Sequence, residues 1–174
     1  MNEISLLMYL LSRRGSHHEF GATKGEIIEI LNPGKKVENF IFNNLITKLS
    51  DYVEPLGFRI NYNPLNSHWY LSIKSEIVEL FGANPFKEHP SLAASLFCTL
   101  ACCLKNKGKT SIQEVRNLRK KKNLVNDLKV LETNGYISID STTNNIQLTP
   151  LIGYQIDIEK LFNNIALMMK DEIK

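Results

Sequence analysis

One short pattern occurs twice in this chain, and it restricts the fold more than composition does. Thr23-Lys24-Gly25-Glu26 and Ser111-Ile112-Gln113-Glu114 each place a hydroxyl three residues before a glutamate. That is the spacing of a capping box, in which the hydroxyl accepts from an orphan amide of the first helical turn and the carboxylate returns to the cap amide. A further apolar-periodic helix follows each box. Then come Gly57-Phe58 or Gly135-Tyr136, an alternating strand, a polar turn and a second strand. With the apolar helix ahead of each box, both halves read helix, helix, helix, β-hairpin.

The first half begins with a helix over about Glu3 to Arg13, whose Ile4, Leu7, Met8 and Leu11 form a stripe that Leu6 and Leu10 widen. Arg14 to Ala22, with His17-His18 inside it, reads as a loop. After the first box, Ile27, Ile28 and Leu31 supply a buried face, and Asn32-Pro33-Gly34 ends the helix. A longer helix over about Lys36 to Val53 is expected to bury Val37, Ile41, Leu45 and Leu49, with Phe40 and Ile46 at the margins. Its outward residues, Glu38, Asn39, Asn43, Thr47, Ser50 and Asp51, are neutral or acidic. Phe58 to Tyr62 and Trp69 to Ile73 alternate with period two, as half-buried strands do. Trp69 reads as a cross-strand core partner of Phe58 or Ile60, with a ring-stacking platform as the alternative. A short helix over Ser75 to Phe81 and the Gly82-Ala83-Asn84-Pro85 punctuation close this half.

In the second half, Leu92, Leu96, Leu100 and Cys103 share one helical face, and Ala93, Phe97, Ala101 and Leu104 the next, so broad burial is expected. Lys105 to Lys109 is a loop. Val115 and Leu118 are expected inside on the helix after the second box, and Leu124, Val125, Leu128 and Leu131 on the one after that. Tyr136, Ile137 and Ile139 start the hairpin, Asp140 to Asn145 is its polar tip, and Ile146, Leu148 and Pro150 end it. In the tail, Ile158, Leu161, Phe162, Ile165, Met168 and Met169 form an amphipathic stripe, suited to folding back or to docking a partner.

The order of elements is that of a winged helix, and it occurs in tandem. The expected class is α+β, mostly helical. The expected domains are a winged-helix module at 1–84, a second at 90–150 and a C-terminal amphipathic helix at 151–174.

No catalytic constellation stands out in the sequence, and no cofactor is expected. Gly108-Lys109-Thr110 resembles the end of a phosphate-binding loop, but Cys103 stands where the first glycine is required and the segment follows a helix. Cys98, Cys102 and Cys103 are an odd set on one helix, which suits core packing better than disulfides or a metal. No apolar run reaches the roughly 20 residues of a membrane span, and the apolar start lacks a basic leader, so a cytoplasmic protein is expected.

Charge is uneven. Residues 1–89 carry nine basic and ten acidic residues, whereas 90–174 carry twelve and eight, within an overall +3. The excess lies in Lys105, Lys107, Lys109, Arg116, Arg119, Lys120, Lys121, Lys122 and Lys129, faced only by Glu114 and Asp127. Such a run suits nucleic-acid phosphate or an acidic partner, and equally a solvated lysine-rich turn.

Leu45-Ile46-Thr47-Lys48-Leu49 running to Gly57-Phe58-Arg59-Ile60 and Trp69-Tyr70-Leu71, then Ser91-Leu92-Ala93-Ala94-Ser95-Leu96, and Val130-Leu131-Glu132-Thr133-Asn134-Gly135-Tyr136-Ile137 form three stretches. They resemble the segregation and condensation protein B family, the kleisin-interacting tandem winged-helix proteins of SMC complexes. Where that family commonly has proline-valine-threonine before the second module's middle helix, this chain has Gly108-Lys109-Thr110-Ser111, and it is slightly basic where the family tends to be acidic. The resemblance implies a nucleoid-associated, non-catalytic homodimer that grips a kleisin subunit and through it an SMC ATPase, with at most weak DNA contact. Neither a membrane nor a small-molecule substrate is implied. The alternatives are a winged-helix DNA-binding transcriptional regulator using the basic run, and a membrane-remodelling assembly of the ESCRT-II type.

Overall fold

The computed structural model describes residues 2–16, 19–31, 39–74, 86 and 88–156. The chain divides into two compact units, Met1–Pro85 and Phe86–Lys174. Within the described residues, the first unit runs α1 (Glu3–Ser12), β1 (Arg14–Ser16), β2 (Glu19–Phe20), β3 (Ala22–Thr23), α2 (Lys24–Leu31), α3 (Asn39–Val53), a 3-10 turn (Glu54–Leu56), β4 (Phe58–Asn63) and β5 (His68–Ile73). The second runs α4 (Pro90–Lys105), β6 (Lys109–Ser111), α5 (Ile112–Arg119), α6 (Leu124–Thr133), β7 (Ile137–Ile139), β8 (Asn145–Leu148) and α7 (Pro150–Gln155).

Each unit holds an antiparallel three-stranded sheet with the same order, β3-β5-β4 in the first and β6-β8-β7 in the second. In both, the short strand leading into the middle helix adds to the free edge of the hairpin's return strand. Three helices plus a hairpin joined in this order make a winged helix, so the α+β tandem winged-helix architecture is what the chain forms.

The capping boxes form as their spacing requires. Glu26 Oε2 accepts from the Thr23 amide at 2.8 Å, and Thr23 Oγ1 accepts from the Glu26 amide at 3.3 Å. Ser111 and Glu114 repeat this at 3.1 and 3.2 Å. The residue capping the C-terminus of the first helix reaches the same glutamate in both units. Arg13 donates to Glu26 at 2.8 Å, and Asn106 donates to both carboxylate oxygens of Glu114 at 3.0 Å. One carboxylate therefore fastens the first helix, the short strand and the second helix together. Both glutamates have their pKa lowered, chiefly by the backbone hydrogen bond from Thr23 or Ser111. Gly57 and Gly135 stand at φ 84° and 79°, the left-handed turn that releases the chain from the third helix into the hairpin.

The first core gathers Leu7, Leu10 and Leu11 of α1, Ala22 of β3, Ile27 and Ile28 of α2, and Phe42, Leu49 and Val53 of α3. Phe42, rather than Ile41 and the expected margin residue Phe40, is the large residue inside, and Phe40 is 76% exposed. The α3 face runs Phe42, Leu45, Ile46, Leu49, Val53, so Leu45 and Leu49 lie on the core side as expected, and the face turns toward Phe42 and Ile46 rather than toward Ile41. Trp69 lies opposite Tyr62 in the β4–β5 register, with ring centroids 5.3 Å apart. It also meets the edge of Phe42 at 5.2 Å, so its partners are these two rather than Phe58 or Ile60. The expected loop after α1 contains the β1–β2 ribbon, whose strands of three and two residues are too short to show an alternating pattern.

In the second unit, α4 buries Leu96, Leu100, Cys102 and Cys103 together with Ser95 and Thr99, against Val115, Leu124, Leu128, Leu131, Ile137 and Ile146. The second face expected inside is exposed at Phe97 and Leu104. Thr99 can be buried in its place because its hydroxyl donates to the Ser95 carbonyl one turn back at 2.9 Å, and Ser95 because its one hydroxyl proton has two acceptors in reach, Asp127 at 2.5 Å and Ser91 O at 3.1 Å. Leu118 is 54% exposed and Val125 also lies outside, so α5 contributes Val115 alone as a fully buried residue. Lys109 and Thr110, expected in a loop and at its end, belong to β6. Asn145 belongs to β8 rather than the tip, and Pro150 opens α7 rather than closing the hairpin. The expectations for His17-His18, for the 75–81 helix and for the tail stripe at Ile158, Leu161, Phe162, Ile165, Met168 and Met169 fall outside the described residues.

Candidate interaction surfaces

In a helix-turn-helix the third helix of each unit is the one presented to a DNA groove, while the helix before it crosses the sugar-phosphate backbone. On α3 the exposed side chains are Phe40, Asn43, Asn44, Thr47, Lys48, Asp51 and Tyr52, and Ser50 is half-buried. One cation and one acid cancel. The large groups are aromatic, with Phe40 76% and Tyr52 61% exposed. On α6 the exposed residues are Val125, Asn126, Lys129, Val130, Glu132 and Thr133. Again one cation meets one acid, flanked by two valines. Affinity for duplex DNA comes mainly from cations displacing counterions, and neither helix offers a row of them. The expected outward residues of α3 do not include Phe40 or Tyr52, and Val125 is expected inside on α6, yet all three are exposed.

The hairpin tip of the second unit is held by Asp140. Its Oδ1 accepts from the Thr142 amide at 2.8 Å and also from the Thr142 hydroxyl, and its Oδ2 accepts from Thr143 Oγ1 at 2.8 Å. These bonds, led by the Thr142 hydroxyl, hold the carboxyl well below the usual carboxylate range. The tip is thus a fixed anion, which opposes insertion beside DNA phosphates.

The basic run divides in two. Lys121 is turned inward, its Nζ donating to Asp127 Oδ2 at 2.7 Å, Oδ1 at 2.9 Å and Ser91 Oγ at 2.7 Å, while Ser95 Oγ donates to Asp127 at 2.5 Å. This network ties the start of α4 to α6 through the turn between α5 and α6. Burial disfavours ionisation of Asp127, but the bonds from Lys121 and Ser95, with the charges of Lys121 and Arg119, outweigh it and lower its pKa. Arg119 is half-buried, and its Nε is enclosed with no hydrogen-bond acceptor among the described residues. The other seven, Lys105, Lys107, Lys109, Arg116, Lys120, Lys122 and Lys129, are exposed, and none forms an ion pair among the described residues. The two acids that could have neutralised them are committed, Glu114 to its capping box and Asp127 to Lys121.

The three thiols are free. Cys102 and Cys103 are buried and Cys98 half-buried, and burial raises all three, Cys103 up to about 12. Among the described residues no three histidine, cysteine or acidic side chains converge as metal ligands would. No helix among them is long and apolar enough to cross a membrane.

Two of the solved structures to which the chain is similar are as follows. A conserved hypothetical protein from Chlorobium tepidum is 15% identical, with 86% of this chain and 93% of that one covered at a TM-score of 0.41. ScpB from Mycobacterium tuberculosis is 14% identical, with 88% and 93% covered at a TM-score of 0.31. The chain is similar to these two proteins. No family model and no curated protein matches it. The winged-helix assignment rests on the strand order and helix sequence of each unit.

Proposed function

We propose that this chain is a non-catalytic interaction subunit of an SMC–kleisin chromosome condensation and segregation complex, acting as a homodimer in the cytoplasm at the nucleoid. The observation that carries the reading is the surface of the two third helices. They have the position of DNA-reading helices, but charge-balanced faces bearing Phe40 and Tyr52 on α3 and Val125 and Val130 on α6. Exposed aromatics at such positions suit burial by another protein, since aromatic side chains are enriched in the cores of protein interfaces. The resemblance of the 45–71, 91–96 and 130–137 stretches to the segregation and condensation protein B family supplies the class of partner. A transcriptional regulator that grips duplex DNA through these helices would need a row of cations along them, and among the described residues each offers one cation beside one acid.

The test is recovery of partners on the tagged chain from its own cells. Co-purification of a kleisin and its SMC ATPase is expected, reduced at least tenfold by Phe40→Ser with Tyr52→Ser. Recovery of promoter DNA without either protein would refute the reading.

A further inference from the structure

The basic surface of the second unit is not needed for the function proposed above. We infer that it holds duplex nucleic acid by its phosphates alone, without reading base sequence. The centre of the contact is Arg116 on α5, Lys120 at its C-terminal cap and Lys122 in the following turn, with the lysines of the α4–β6 turn as outlying contacts.

Three features converge on this. First, the cations stand where a helix-turn-helix lies against the DNA backbone, on the helix before the groove helix and on the turn between them. Arg116 and Lys120 are four residues apart, and the Lys120 amide donates to the Arg116 carbonyl at 2.9 Å, so their side chains leave one end of α5. Second, they are uncompensated. Glu114 and Asp127 are each held by several hydrogen bonds within the fold, so phosphate binding releases counterions without first breaking an ion pair at Arg116, Lys120 or Lys122. Third, exposed amides surround them: Gln113 and Asn117 on α5, Asn123 in the turn and Asn126 on α6. Such side chains are common phosphate donors beside arginine and lysine. The absence of base reading follows from α6, which offers Lys129 beside Glu132, and from the anionic Asp140 at the hairpin tip. Binding of this kind is weak at physiological salt, typically in the range of 10⁻⁴–10⁻⁶ M, and steeply salt-dependent.

The experiment is fluorescence anisotropy of the full chain with a labelled random-sequence duplex of a few helical turns, titrated between about 50 and 200 mM salt. The comparison is a triple variant, Arg116→Gln, Lys120→Gln and Lys122→Gln. If each of the three contacts one phosphate, neutralising them lowers the slope of log K against log salt by about 2.7. The unchanged chain then loses roughly 40-fold more affinity than the variant across that range. A variant of the first unit, Lys48→Gln with Arg59→Gln, should bind as the unchanged chain does, and all variants should keep the melting temperature. Four results would overturn the inference: no saturable binding at the lowest salt, an unchanged slope in the triple variant, a tenfold preference for one duplex sequence, or displacement of the DNA by polyglutamate charge for charge. The last would assign the surface to acidic proteins. Undiminished recovery of protein partners by the triple variant would show that this surface and the partner surface are separate, so that each reading stands or falls alone.

Discussion

Replacing Gly21 by alanine should unfold the first unit, whereas the same change four residues later should strengthen it. Gly21 stands at φ +78°, and a Cβ there would lie 1.9 Å from the Trp69 carbonyl oxygen, 2.9 Å from its carbon and 3.0 Å from Tyr70 Cβ. The obstacles nearest to it are backbone, so no rotamer change removes them. The chain must part where Ala22 pairs with Trp69, and the Gly21 amide must give up its 2.8 Å bond to Arg13 O. Left-handed backbone at a residue with a side chain costs about 1–2 kcal/mol. The two or three hydrogen bonds lost or bent cost about 1 kcal/mol each. The sum, roughly 3–5 kcal/mol, is comparable with the whole stability of a small unit. Gly25 has ordinary helical φ, and its added Cβ would meet only Thr23 Oγ1 at 4.0 Å, so alanine there should gain about 0.5–1 kcal/mol from helix propensity. Trp69 is the chain's one tryptophan and packs between Phe42 and Tyr62, so its emission reports the first unit alone. With a urea m-value of about 1 kcal/mol/M, Gly21→Ala should lower the emission midpoint by about 3 M or abolish the transition, and Gly25→Ala should raise it by about 0.5–1 M. A Gly21→Ala midpoint within about 1 M of the unchanged chain would refute the close approach of the two backbones.

Thr23→Ala removes the oxygen that accepts from the Glu26 amide and should cost the first unit about 1 kcal/mol in the same emission assay. Asp127→Ala removes the charged acceptor of Lys121 and Ser95, leaving them only Ser91, and should cost the second unit about 1.5–3 kcal/mol, measured by circular dichroism melting. Because the folded Asp127 pKa lies below its ordinary 3.8, its contribution is complete above that value and is lost as pH falls through the lower folded one. Asp127→Asn should therefore flatten the acid limb of the second unit's stability while lowering the plateau near neutrality. A thiol reagent at mildly alkaline pH should modify at most Cys98 in the folded chain and all three thiols after denaturation, read by absorbance of the released group.

The plan of the fold was legible because its punctuation is local. A hydroxyl and a glutamate three residues apart, and a glycine leaving the third helix, need no long-range information. The short edge strands Ala22–Thr23 and Lys109–Ser111 were not legible, since two or three residues become a strand only by lying against a hairpin already formed. On α3 the inner positions Leu45 and Leu49 were legible from periodicity, but Phe42, two residues from Phe40 and so on a different face, was not. Choosing Phe42 required the edge contact with Trp69 from a distant strand. For the basic run, composition located the excess charge but could not separate Lys121, drawn inward by Asp127 and Ser91, from the exposed lysines beside it. Periodicity likewise favoured Phe97 and Leu104 as buried over Ser95 and Thr99, whose hydroxyls find acceptors in Asp127 and in carbonyls of their own helix.

The carboxylate that joins the first helix, the short strand and the second helix, Glu26 in one unit and Glu114 in the other, has a consequence for divergence. A scaffold secured by so few positions leaves its solvent-facing residues free to change. One unit displays Phe40 and Tyr52, the other Arg116, Lys120 and Lys122. A single architectural plan thus yields an aromatic face and a cationic one in the same polypeptide, and selection can retune either without disturbing the frame beneath.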